Sequence, residues 1–136
     1  MEGFDSAVRG RTDVESVRIP VRGIEFADGY RCGPELVRSK ADAVFFDTDR
    51  MALGFYRYAH EHKIRIPEQI AVAGFDNDTP GAYAIPSLST VSHPLEEEVR
   101  EAVRIITERD RAREAKTIFF PTKLILRESI PLNAER

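Results

Sequence analysis

Two stretches of the chain run from apolar residues straight into paired carboxylates. DAVFFDTD ends in Asp47-Thr48-Asp49, and QIAVAGFDND ends in Asp76-Asn77-Asp78. Acids this close have three chemical uses. They can hold a divalent cation and divide nucleophile and general-acid duties in phosphoryl transfer. One carboxylate can instead accept two hydrogen bonds from adjacent hydroxyls of a sugar-like ligand, with a neighbouring Thr or Asn adding donor and acceptor capacity. The third use is structural, a cap on the helix that follows. Thr48 or Asp49 is placed to cap the next segment, with Asp49 the best candidate for a cap alone.

The catalytic use has a recognisable form. A strand ending in Asp-x-Asp resembles the haloacid-dehalogenase phosphatases, which implies a magnesium-dependent phosphatase using Asp47 and Asp49. Such sites want Thr two residues after the second acid, where this sequence has Met51 and Pro80. Other chemistries find less support. His60 and His62 are two apart and diverge on a helix, while His93 precedes Pro94, so the histidines read as surface or hinge residues rather than metal ligands. Cys32 is the only cysteine, which excludes an internal disulfide and a thiolate cage. No G-x-S-x-G stretch marks a serine nucleophile. The sequence therefore implies no cofactor and no metal.

The elements that position these acids follow from periodicity. Glu15 to Val21, Asp42 to Asp47 and Gln69 to Asp76 read as strands, and their continuous hydrophobicity predicts a parallel sheet covered on both faces. Helical patterns lie between them, at 27–37 with Gly33-Pro34 as an interruption, and at 49–62, where Met51, Phe55, Tyr58 and Ala59 recur at helical spacing. Strand and helix alternating in this way predict a doubly wound, mostly parallel α/β sheet. Ligands of such sheets bind beyond the carboxyl ends of the strands, the edge where both acid clusters fall.

Ser89 to Ser92 reads as a brief strand. Pro94 then opens a long amphipathic helix with Leu95, Val99, Ala102, Val103 and Ile106 along one side. Its Glu96-Glu97-Glu98 start and its Arg109, Arg111 and Arg113 end suit the helix dipole. TIFFPTKLILRESI follows as one or two strands broken near Pro121. The whole has 136 residues, 42% apolar and 32% charged, with a net charge of −3. These values predict one domain with one core and offer no electrostatic attraction for nucleic acid or an anionic membrane. No apolar run approaches the roughly 20 residues of a bilayer span, and the first residues lack a signal-peptide core. A cytoplasmic location is the expectation.

The order of motifs from Met51-Ala52-Leu53-Gly54 through Ile66-Pro67, Val72-Ala73-Gly74-Phe75-Asp76, Pro86 and Leu88-Ser89-Thr90-Val91 closely resembles the lactose-repressor and galactose-repressor (LacI/GalR) family of bacterial transcription regulators. The resemblance reaches upstream to Gly3-Phe4 and Gly29-Tyr30 and downstream through FPTKLILRES. It implies a periplasmic-binding-protein-like effector domain of two α/β subdomains with a ligand cleft between them. The chain corresponds to the C-terminal subdomain (1–87 and 121–136) with a crossover strand and helix, 88–120, belonging to the other subdomain. On this resemblance the chain is a non-enzymatic fragment, and operator DNA is reached only through an N-terminal helix-turn-helix that it lacks.

The resemblance also implies site residues. Asp76 matches the family carboxylate that bonds ligand hydroxyls, and Thr48 stands where an effector-binding Asn is common. Ile24 falls at the place of a ring-stacking aromatic, with Phe26 nearby and Asp47 on the same edge. The family's ligand-binding Arg would lie one place before Met1. The effector is expected to be a small sugar or polyol. Leu95, Val99, Val103 and Ile106 then lack a covering subdomain, which predicts a homodimer with the helix or last strand exchanged, and Leu53 and Tyr56 are further interface candidates. A sugar-binding transport protein of the same fold is the remaining alternative.

Overall fold

Residues 2–108 and 117–131 are described by the computed structural model. Their elements are α1 (Glu2–Val8), α2 (Phe26–Ser39), β1 (Ala43–Phe45), α3 (Asp49–Glu61), β2 (Ala71–Phe75), α4 (Thr79–Ala82), β3 (Ser89–Ser92), α5 (Leu95–Thr107) and β4 (Lys123–Ile125). The strands form one sheet in the order β1-β2-β3-β4. The first three are parallel, with Val44 opposite Val72 and Gly74 opposite Thr90, and β4 closes the sheet antiparallel, with Leu124 opposite Val91. This is the mixed, mainly parallel α/β sheet that the alternation of elements predicts. No helix among the described residues is long and apolar enough to cross a membrane.

The core forms where α2 and α3 lie against the sheet. Phe55, Val72 and Leu88 are fully buried at its centre, ringed by Leu36, Phe46, Met51, Tyr58 and Ile70. Glycines set how closely the two helices approach. A Cβ on Gly54 would stand 1.9 Å from the Phe26 carbonyl oxygen, and one on Gly29 would stand 1.8 Å from that of Met51. Gly33 likewise faces the Tyr58 ring. The backbones therefore touch directly.

That packing explains the first departure from the sequence reading. Gly33-Pro34 does not interrupt α2, which runs from Phe26 to Ser39 with Pro34 inside it. Proline in a helix interior costs about 3 kcal/mol. Here Cys32, Gly33 and Leu36 bury the inner face of α2, and tertiary packing of such a face is what stabilises most helices in proteins. Asp28 accepts from the Glu25 amide at 2.9 Å and fixes where the helix begins.

Two further expectations are corrected. Glu15 to Val21 is not a strand. Pro20 has no amide to give a ladder, and the segment contributes only Ile19 and Val21 to the edge of the core. The two faces of the sheet are also covered unequally rather than alike. Burial alternates along β2, with Val72 and Gly74 buried and their neighbours only part-buried. Phe45 of β1 is 46% exposed. α3 packs against β2 and α2 against α3, and α1 leaves Phe4 nearly half-exposed.

Beyond β3 the chain enters α5, capped at Pro94, with Glu96, Glu97 and Glu98 in the first turn and Arg104 in the last. None of its residues is buried. Leu95, Val99, Val103 and Ile106 are each more than half-exposed. The expected basic end at Arg109, Arg111 and Arg113 lies outside the described residues. In the tail a single strand, β4, follows Pro121. Ser129 then binds the sheet from its end, donating to the Val72 carbonyl at 2.6 Å and accepting from the Ser89 amide at 2.7 Å.

Candidate functional site

The carboxyl ends of β1, β2 and β3 bring Asp47, Asp76 and His93 to one edge of the sheet. Parallel strands place every such end on the same side, which is why two clusters far apart in sequence share one location. The acids within each cluster have different environments.

Asp49 is the structural member. It is completely buried, and its Oδ1 accepts from the Thr90 hydroxyl at 2.6 Å while Oδ2 accepts from the Asp78 amide at 2.8 Å. One carboxylate thus ties the start of α3 to β3 and to the loop after β2. Gly74 makes room for it, since a Cβ there would lie 2.2 Å from Asp49 Oδ1. Burial raises the Asp49 pKa above the ordinary carboxylate value, opposed by the bonds from Thr90 and Asp78. Of the two cap candidates, Thr48 is the one that caps α3, accepting from the Met51 amide at 3.2 Å and donating to the Ile24 carbonyl at 2.8 Å, while Asp49 is not a cap.

A magnesium-dependent phosphatase needs the Asp47 and Asp49 carboxylates open to one phosphate. Asp47 is exposed, but Asp49 has no exposed surface and both its oxygens are engaged. The pair does not converge on a shared site. Among the described residues, no group of three or more His, Cys, Asp or Glu side chains is arranged to hold a metal ion.

Asp76 is the open member. Asp76 and Asn77 adopt φ of 104° and 59°, a region that costs a non-glycine residue roughly 1 to 3 kcal/mol. The loop is held there from several directions. The Asp76 amide donates to the Val91 carbonyl at 2.9 Å, and the Asn77 amide to Thr90 Oγ1 at 3.3 Å. Arg127 reaches in from beyond β4, giving one nitrogen to Asn77 Oδ1 at 2.8 Å and another to the Leu88 carbonyl at 2.7 Å. The Asp76 carboxylate is left part-exposed with His93 Nε2 3.7 Å away. Its pKa is raised by partial burial and by Asp78, and lowered by His93 and Arg50. Arg50 pairs with Asp78 at 3.5 Å and with Glu25 at 3.3 Å, closing the rim.

Of the other residues expected at the site, Ile24 is exposed and its carbonyl is bound by Thr48; Phe26, the first residue of α2, is 48% exposed. Leu53 and Tyr56 are part-buried against the core rather than standing on an open face. The Tyr56 hydroxyl is buried beside Ser129 without a hydrogen bond among the described residues, and burial pushes its pKa up to about 12. Sequence reading missed Thr90 and Arg127, and took His93 only as a surface or hinge residue. His93 could have been found, because it ends a strand on the same edge as the acids. Arg127 carries no local signal, since its partner Asn77 is fifty residues away.

The chain is thus an open, mainly parallel α/β sheet with polar strand ends, and its residues 1–130 match the periplasmic binding protein-like domain family, to which the chain belongs. Within that family the chain is of the LacI type. It is 32% identical over 107 residues to the NTD biosynthesis operon regulator NtdR of Bacillus subtilis, covering 75% of this chain and 32% of NtdR. The HTH-type transcriptional regulator AscG of Escherichia coli is 34% identical over 93 residues, and the ascG repressor structure aligns with a TM-score of 0.78 over 94% of this chain and 48% of that one. A LacI-family regulator from Enterococcus faecium with bound ribose aligns with a TM-score of 0.84 at 28% identity, over 95% of this chain and 49% of that one. The chain thus spans about a third of the length of these curated relatives and about half of the solved structures.

Proposed function

We propose that this chain forms one wall of the effector cleft of a LacI-type transcriptional regulator working in the cytoplasm, and that its ligand is a small sugar or polyol. The observation that carries the reading is the Asp76 loop. A part-exposed carboxylate, held at positive φ by bonds from β3 and Arg127, stands at the sheet edge where ligands of this architecture bind. A carboxylate with two open oxygens suits adjacent hydroxyls. Ile24, Phe26, Thr48 and Asp47 line the same wall. Thr48 is committed to its cap and to the Ile24 carbonyl, so it contributes shape more than free hydrogen bonds.

The reading involves no catalysis. Operator DNA would be bound by a helix-turn-helix outside the sequence described here, with ligand closure shifting the dimer between DNA-binding and non-binding states. Because β3 is hydrogen-bonded to both β2 and β4, the crossover to the second subdomain is best drawn after Ser92, which narrows the 88–120 segment. The exposed α5 stripe supports association through that helix, whereas Leu53 and Tyr56 have less free surface to offer.

Titration of the isotope-labelled chain with D-ribose, D-glucose and D-galactose, followed by amide NMR, tests the reading. The expected result is saturable shifts at Asp76, Asn77 and Thr48 that Asp76→Asn weakens about tenfold, the loss of one charge-assisted hydrogen bond. Sugars that leave every strand-end amide unmoved would overturn it.

A further inference from the structure

Among the described residues α5 has no buried side chain, and no other helix or strand packs extensively against it. The contacts that tie its first turn to the sheet edge centre on His93, where β3 gives way to α5. Nδ1 of this ring lies 3.0 and 3.1 Å from the two oxygens of Glu98. The ring stacks on Phe75 with centroids 5.8 Å apart, and Nε2 faces Asp76 Oδ1 across 3.7 Å. Glu98 belongs to α5 and Asp76 to the loop after β2, so one imidazole stands between two carboxylates on separate parts of the chain. All three side chains are part-exposed and exchange protons with solvent.

The two protonation states of the ring differ in what they can hold. A carboxylate only accepts, so the single N–H of the neutral ring goes to Glu98, the nearer partner, and Nε2 turns a lone pair toward Asp76. Two acceptors cannot bond each other. In the imidazolium both nitrogens donate, and a cation lies between two anions. We propose that His93 is a proton-operated clasp: protonated, it bonds Asp76 as well as Glu98 and fixes α5 to the carboxyl edge of the sheet; neutral, it lets that end of the helix pivot. Histidine changes charge between roughly pH 5 and 8, so the crossover helix is held on the acid side of that range and freer on the alkaline side. The remaining charges nearby come in opposed pairs. Glu97 and Lys123 line the hollow beside His93, one favouring the cation and one opposing it, while Asp78 and Arg50 act with opposite sign on Asp76. At the acid end the second arm is lost again when Asp76 itself takes a proton, which partial burial and Asp78 bring on above the ordinary 3.8 against the pull of His93 and Arg50. The clasp is independent of the sugar-binding reading, because its ligand is a proton.

Amide hydrogen exchange of the full chain, followed by NMR at about pH 6 and about pH 8.5 with each rate divided by its intrinsic chemical rate, tests the clasp. The probes are the Glu98 amide, bonded to the Pro94 carbonyl at 3.0 Å, and its neighbours in α5; the Phe46 and Val72 amides, bonded within the sheet, are the reference. Protection in the first turn of α5 should be about tenfold higher at the lower pH, the worth of one charge-assisted hydrogen bond, with the reference amides unchanged. Asp76→Ala should abolish that difference while the His93 ring still titrates. Glu98→Ala should abolish it in α5 yet leave the Asp76 and Asn77 amide shifts moving with the ring, and His93→Gln should abolish both responses. If the reference amides show that Asp76→Ala does not fold, Asp76→Asn takes its place, since its amide pairs with Nε2 in either state and removes the pH preference. Equal protection of α5 at the two pH values in the wild type overturns the proposal. So does a pH response that survives loss of the Asp76 carboxylate, the mark of the His93 and Glu98 pair acting alone.

Discussion

Asp49 and Asp76 end the same kind of stretch, yet their surroundings set them different tasks. Asp49 spends both oxygens inside the protein, whereas Asp76 keeps its own turned toward solvent. Burial raises the folded-state pKa of Asp49, so the native chain binds this proton more tightly than the unfolded chain. The contribution to stability is therefore greatest below the ordinary carboxylate value of 3.8 and declines as pH rises through the elevated one. Asp49→Asn removes that titration. Urea melts of wild type and variant across this pH range should give a stability difference that moves in the variant's favour as pH rises, and a constant difference would show that the carboxylate does not titrate in the fold. Asp49→Ala leaves the Asp78 amide and Thr90 hydroxyl without their acceptor and should cost about 2 to 5 kcal/mol. The sequence showed both acids at a strand end, because strand ends follow from hydrophobic runs. It did not show which acid was buried, because the deciding partners, Thr90 and the Asp78 amide, are 41 and 29 residues away.

At the scale of elements, the α2 and α3 pair governs whether the wall exists at all. Their backbones meet at Gly29 and Gly54 with no space for a Cβ. Gly54→Val should force the helices apart and lower stability by about 1 to 3 kcal/mol or more, read as a lower urea midpoint with an unchanged slope; a midpoint equal to wild type would mean that the helices are not in this contact. The elements legible in the sequence, β1, α3, β2, β3 and α5, each have a period of their own. The elements misread are those decided from outside. Pro34 is tolerated because α3 holds the helix around it, Glu15 to Val21 fails to pair because Pro20 has no amide to offer, and the second face of the sheet is covered only in part, with Phe45 left 46% exposed. Local pattern carries no information on whether a covering partner is present.

At the scale of the whole molecule, the apolar stripe of α5 has no cover among the described residues. Leaving Leu95, Val99, Val103 and Ile106 in water forgoes roughly 1.5 to 3 kcal/mol for each side chain fully buried instead. Association through α5 is the expected response. Sedimentation equilibrium should show concentration-dependent dimers that Val99→Ser with Val103→Ser and Ile106→Ser disperses, while β-sheet amide signals stay in place; a wild type that remains monomeric throughout the concentration range would rule it out. The contact between Arg127 and Asn77 has a different consequence, one of timing. The guanidinium that steadies the strained loop is made fifty residues after the loop itself, and at typical rates of synthesis that interval lasts roughly 2.5 to 10 seconds. During it a nascent chain presents β2 and its acidic turn with no latch, so the ligand wall is among the last parts of this domain to take its shape at the ribosome.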